Sequence, residues 1–191
     1  MQKKISLVIL AILTLCFTEC KKGEDDPVIS LRTRKARAAG EWRLVSGNAS
    51  YTAKGYNEDY AFDGTNVTAN YTSVTPIIYT GRYILNLTIS KDGKFTFKEV
   101  VAGLSLEAGG DWTFNKGGGE DKKKEDFIFT ITSVSKGSTN ELHFFNRLNT
   151  NFTYQIKELR NKRLVIHSAG TFYTDSKGNY STLSTDYVFQ Q

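Results

Sequence analysis

Residues 83–100 read YILNLTISKDGKFTFKEV. Tyr83, Leu85, Leu87 and Ile89 alternate with Ile84, Asn86, Thr88 and Ser90. Only an extended strand with one buried face uses a period of two, because its successive side chains point to opposite sides. Lys91-Asp92-Gly93 then supplies a turn, with glycine free to take the positive φ that a short hairpin needs. Phe95 and Phe97 resume the alternation. Pairing Ser90 with Lys94 sets Ile89 opposite Phe95 and Leu87 opposite Phe97, so one face of the hairpin is apolar throughout. Two strands cannot bury such a face by themselves, and the rest of the chain must supply the other side of a core.

The same grammar recurs along the chain. Strand candidates are residues 41–53 and 110–114, then Phe127, Phe129 and Ile131, then Leu142 with Phe144, Tyr154 with Ile156, Leu164 with Ile166, and Tyr187 with Phe189. Turns fall near Lys136-Gly137, at Asn161-Lys162 and over residues 175–179, and residues 116–125 form a loop. About eight or nine short strands at intervals of roughly 8–12 residues indicate a sandwich or barrel. Tight turns between sequence neighbours favour an antiparallel meander, and closing it removes both exposed edges. The expected fold is all-β, an up-and-down antiparallel barrel of about eight strands. A short basic helix over residues 30–39 precedes it, with Ser30 as N-cap and Gly40 just past its end. Residues 54–80 read as a long polar connection in which residues 75–79 already pair. Loops of that length are usually functional or disordered.

The first residues say where the chain goes. Met1-Gln2-Lys3-Lys4 is a short positive segment, and residues 5–17 are apolar and uncharged, shorter than the roughly 20 residues that span a bilayer. This layout is that of an export signal. It runs into the two cysteines of the chain, Cys16 and Cys20, and resembles a bacterial lipoprotein signal, in which a cysteine becomes the lipidated N-terminus. Cys20 is favoured, because Lys21-Lys22-Gly23-Glu24-Asp25-Asp26 starts directly after it; Cys16 is the other choice. The lysine-then-acid tether resembles the export signal of surface lipoproteins in Bacteroidetes-type bacteria. A plain secreted protein, or one held by an uncleaved apolar segment, is the alternative. The expected organisation is therefore a signal peptide at 1–19, a tether and short helix at 20–39, and a barrel domain at 40–191. Cleavage before Cys20 removes Cys16, which leaves no disulfide to staple the fold and no thiol for catalysis.

The chain is basic, with 25 Lys and Arg against 20 Asp and Glu, a formal +5 that becomes about +4 once Lys3, Lys4 and Glu19 leave with the signal. The basic residues cluster in Arg32, Arg34, Lys35 and Arg37, in Lys122–124, and in Lys157, Arg160, Lys162 and Arg163. Solvated faces are the leading reading, and in an exported protein nucleic acid is not an expected partner.

Gly40-Glu41-Trp42 opens the first strand. With the meander, with "SKDGKFTF…GGDWTF" over residues 90–114, and with "YQIKEL…LVIHS" near the end, it resembles the lipocalin-like domains of Bacteroidetes lipoproteins over roughly residues 40–190. The likeness is to the broader lipocalin-like set, since residues 187–191 show neither the arginine that the lipocalin proper sets over that tryptophan from the end of the barrel nor the helix that follows it. The resemblance implies an up-and-down barrel closed at the bottom by the tryptophan, with a connection lying over the open end. Gly40, Trp42 and Trp112 would then be its structural signature, the tryptophans packing in the core.

Chemistry-bearing patterns are sparse. His143 and His167 are both out of phase with the inward positions, and no spacing of histidines suits zinc. Gly117-Gly118-Gly119 lacks the lysine and hydroxyl residue of a phosphate loop. Asn57-Glu58-Asp59 and Asp63-Gly64 fit no EF-hand spacing. No serine or threonine stands in a recognised nucleophile context. No metal, no cofactor and no catalysis are expected. The expectation is a lipid-anchored protein of the outer membrane, displayed at the cell surface, whose barrel binds a small apolar or glycan-derived ligand. Its candidate contacts are Tyr83, Phe97, Phe129 and Tyr154 in the interior, with Tyr60 and Tyr79 from a tyrosine-bearing lid over residues 54–80. The interior serves equally as a cavity or as a space filled by aromatics. The alternative function is a non-catalytic accessory subunit of an envelope complex.

Overall fold

A computed structural model of the protein describes residues 32–53, 56–72, 77–116, 125–138, 144–145, 150–174 and 180–191. Ten antiparallel strands close into one barrel: β1 Gly40–Ala53, β2 Tyr56–Phe62, β3 Asn66–Thr72, β4 Ile77–Ile89, β5 Lys94–Val101, β6 Leu104–Lys116, β7 Glu125–Lys136, β8 Asn151–Leu159, β9 Arg163–Thr174 and β10 Tyr180–Gln190. Each strand pairs with its sequence neighbour, and β10 returns to β1.

The 83–100 hairpin forms in the expected register. Leu87 faces Phe97 and Ile89 faces Phe95, and the Ser90 amide donates to the Lys94 carbonyl at 2.8 Å. Along β5 the burial alternates strictly as far as Glu99. Its outward lysines pair across to β6, Lys94 with Asp111 at 2.6 Å and Lys98 with Glu107 at 2.7 Å, exposed pairs of little energetic weight. The 160–162 turn also stands where expected, with the Arg160 amide donating to the Arg163 carbonyl at 2.8 Å.

Four expectations are corrected, the last being the helix. The described residues of the segment 54–80 do not form a lid. They contain β2, β3 and the start of β4, and these are barrel wall. The strand count is ten rather than about eight, and the difference has a local cause. β1 pairs with β4 over Gly40–Arg43 against Asn86–Ile89, then parts from it and pairs with β2 from Gly47 to Ala53. The β2–β3 hairpin is thus wedged into a fork between β1 and β4. Eight strands encircle the narrow end and ten the wide end, and circumference grows with strand number. The 63–65 turn sits in the fork. Gly64 takes φ +89°, and a Cβ there would lie 3.0 Å from the Leu44 carbonyl oxygen, so glycine answers both demands. Asp63 Oδ1 accepts from the Thr65 and Asn66 amides at 2.8 and 2.7 Å. These bonds, the Thr65 amide first, hold its carboxyl down at about 2. The third correction concerns Phe144, which lies in a turn and not in a strand. Leu142, its expected strand partner, lies outside the described residues.

The helix is shorter than expected. α1 spans Arg34–Ala38 with Thr33 as its N-cap, the Thr33 hydroxyl accepting from the Ala36 amide at 3.1 Å. It lies across the narrow end. Trp42 Nε1 donates to the Ala38 carbonyl at 2.7 Å. The Arg34 guanidinium sits 5.9 Å from the Phe114 ring, and Lys35 Nζ sits 5.9 Å from the Trp112 ring. Part of the first basic cluster is therefore spent covering aromatic rings, a use charge counting does not reveal. Trp42 and Trp112 are both buried, and Gly40 lies against Gln191, whose side-chain amide donates to the Ala39 carbonyl.

Candidate functional site

The inward side chains of the barrel form one aromatic mass. Phe95, Phe97, Phe127, Phe129, Phe152, Tyr154, Tyr83, Tyr187 and Phe189 are all buried. Into it, between β7 and β8, come Phe144 and Phe145. On a strand two adjacent residues point to opposite faces; on a turn both can point inward, and both are buried here. The Phe145 ring stacks on Tyr154 at 5.4 Å and lies 5.0 Å from Phe97 and 5.8 Å from Phe129. The Phe144 ring lies 4.7 Å from Tyr60, 5.3 Å from Phe62 and 6.0 Å from Tyr83. The pair acts as a plug.

A burial of backbone this deep leaves amides that need acceptors. Glu99 supplies them. Its Oε1 accepts from the Phe144 amide at 3.0 Å and its Oε2 from the Phe145 amide at 3.2 Å, and the Tyr83 hydroxyl donates to Oε1 at 2.6 Å. Tyr154 closes the set by donating to the Phe145 carbonyl at 2.9 Å. Glu99 is 0% exposed. Burial pushes its carboxyl up to about 7, against the pull of these three donors. Burial likewise holds the Tyr83 hydroxyl well above its ordinary value, aided by the charge of Glu99.

Four expected contact residues, Tyr83, Phe97, Phe129 and Tyr154, therefore converge, but on the plug. Tyr60 packs on Phe144 from the inner wall. Tyr79 stands apart at the wide rim, 46% exposed, with its ring over Gly81. Cys20 and His143 lie outside the described residues. His167 faces outward as expected, its Nδ1 2.7 Å from Asp186 Oδ1. Among the described residues no serine or threonine hydroxyl bonds to it, and no group of three metal-ligating side chains occurs.

The wide rim carries a second constellation. Tyr51 on β1, Glu58 on β2 and Tyr71 on β3 are cross-strand neighbours in one row. They share the inward phase of Ala49, Tyr60 and Ala69, and each is half-buried. The Tyr60 hydroxyl donates to Glu58 Oε2. The Tyr71 hydroxyl is raised above its ordinary value by burial first, then by the charges of Glu58 and Tyr79. Tyr51, Tyr60 and Tyr71 thus adjoin the Glu58 carboxylate above the plug, with Tyr60 buried against Phe144, and Tyr79 stands next to Tyr71 at the rim. Two open concavities, of about 390 and 420 Å³, lie on the polar outer wall, one floored by Asn48, Ser50, Asp59 and Asn70, the other by Thr88, Thr96 and Ser133.

Glu99 and Glu58 escape a motif search because neither belongs to a motif. Their signal is phase: Glu99 follows Phe95 and Phe97 at the same spacing of two, and Glu58 precedes Tyr60 and Phe62. The plug leaves one trace in the sequence, the adjacency of Phe144 and Phe145, which does not by itself say that both are buried.

No protein-family model, no curated protein and no solved structure matches the chain.

Proposed function

We propose that this chain is a lipid-anchored protein of the outer membrane, lipocalin-like in kind, that binds a small ligand at the wide mouth of its barrel and performs no catalysis. The observation that carries the reading is the row Tyr51, Glu58 and Tyr71 with Tyr60 and Tyr79 beside it. Half-buried tyrosines offer flat rings for stacking and hydroxyls for hydrogen bonds, at low cost in conformational entropy. The plug supports a site at the mouth rather than in the interior, since Phe144 and Phe145 already occupy the space against Tyr83, Phe97, Phe129 and Tyr154. Orientation supports it as well. The chain enters by α1 at the narrow end, so an anchor at Cys20 would hold that end to the membrane and turn the mouth outward.

Screening isotope-labelled protein by NMR against sugars, amines and small apolar alcohols tests the reading. Binders should shift the amides of residues 51, 58, 60, 71 and 79, and Tyr79→Ala should weaken them by about tenfold, the scale of a lost aromatic contact. Shifts confined to the outer wall, or no response to any probe class, would overturn it.

A further inference from the structure

The mouth has a chemical bias of its own. Glu58 is flanked on both sides by aromatic neighbours, Tyr51 and Tyr71, where an exposed strand carboxylate would ordinarily find a lysine or a threonine across the ladder. The chain is rich in cations, yet among the described residues none pairs with Glu58, whose hydrogen bond comes from the Tyr60 hydroxyl. The outer carboxylates Asp111 and Glu107 each take a lysine. Tyrosine faces carry negative electrostatic potential and attract cations, most strongly when a carboxylate stands behind them. The Tyr71 hydroxyl already feels both the charge of Glu58 and its neighbour Tyr79. An anionic ligand would be repelled here, and a neutral one would leave the carboxylate unanswered.

We propose that the ligand of the mouth carries a positively charged ammonium group, with Glu58 as its counter-ion, Tyr51, Tyr71 and Tyr79 as its aromatic surround, and the buried Tyr60 holding the carboxylate from below through its hydroxyl. The assignment rests on the mouth being the binding site and adds the charge that it selects. A quaternary ammonium suits the site well, because rings and carboxylate satisfy it without directed hydrogen bonds.

Choline and its uncharged isostere 3,3-dimethylbutan-1-ol separate charge from shape. Titrated by NMR into the folded barrel, choline should shift the amides of residues 51, 58, 60, 71 and 79, and the isostere should bind at least about tenfold more weakly. Glu58→Gln should weaken choline by a similar factor, and its spectrum away from the mouth reports whether the fold is kept. Tyr71→Phe, which keeps the ring, should bind within about threefold of the parent, and Tyr71→Ala should not. Equal binding of choline and isostere, or mouth shifts with neutral sugars and none with choline, would overturn the ammonium assignment while leaving the mouth as the binding site. Silence of the mouth towards all of these probes would overturn both.

Discussion

Glu99 enters the barrel because the alternation that buries Phe95 and Phe97 runs one step further. A carboxylate enclosed among aromatic rings is costly when charged, so its proton is held from the usual 4.5 up to about 7. Because the folded value is the higher one, its contribution to stability is complete below the unfolded value and is lost as pH rises through about 7. The difference corresponds to about 3 kcal/mol at roughly 1.4 kcal/mol per unit. Urea unfolding should find the parent protein about 2–3 kcal/mol less stable at pH 8 than at pH 5. In Glu99→Gln, where the amide mimics the protonated acid, that slope should largely vanish; an unchanged slope would place the titration elsewhere. Asp63 does not confuse the window, since its carboxyl, lowered to about 2, contributes above 3.8 and is lost only in stronger acid. Ser168 and Thr185 are cross-strand neighbours whose buried hydroxyls have no hydrogen-bond partner among the described residues, a burden of about 1–3 kcal/mol each.

The two-residue plug and the β2–β3 hairpin are where the element pattern resists reading. Over residues 85–97 the inward positions are Leu, Ile and Phe and the outward ones Asn, Thr, Ser and Lys, so contrast is high and register follows from it. In β2 and β3 the inward set includes Glu58, Tyr60, Val67, Ala69 and Tyr71, against outward Asp59, Ala61, Thr68 and Asn70. Polar and small residues stand on both faces, and the period fades although the strands form. Trp42 and Trp112 were legible as core because each is a large aromatic two residues after a glycine within a strand pattern, and such residues have few other uses. Phe144–Phe145 was not, because its burial depends on an acceptor 45 residues away at Glu99. The plug predicts its own cost. Phe145 is fully buried among five aromatic neighbours, and Phe145→Ala should remove about 3–5 kcal/mol of stability in urea unfolding, the range for buried aromatics. A loss below about 1 kcal/mol would mean that the barrel does not depend on it.

At the scale of the molecule, the two ends of the barrel differ in width and in lining. α1, Trp42, Trp112 and the rings they touch seal the narrow end, and the chain arrives there from the cysteine-bearing segment. Growth with an alkyne-bearing fatty acid should label the parent protein and Cys16→Ala but not Cys20→Ala. Label lost instead in Cys16→Ala would move the anchor to that residue, and a parent protein without label would end the lipoprotein reading. The fork between β1 and β4 has a further consequence. β2 and β3 bond only to each other and to the strands that part around them, while the eight-strand ring below holds its shape through its own ladder. Substitutions at the exposed positions of this inserted arm, away from Tyr60, Phe62 and Val67, can therefore reshape the rim without loosening the base, much as a tool keeps its handle when the bit is exchanged.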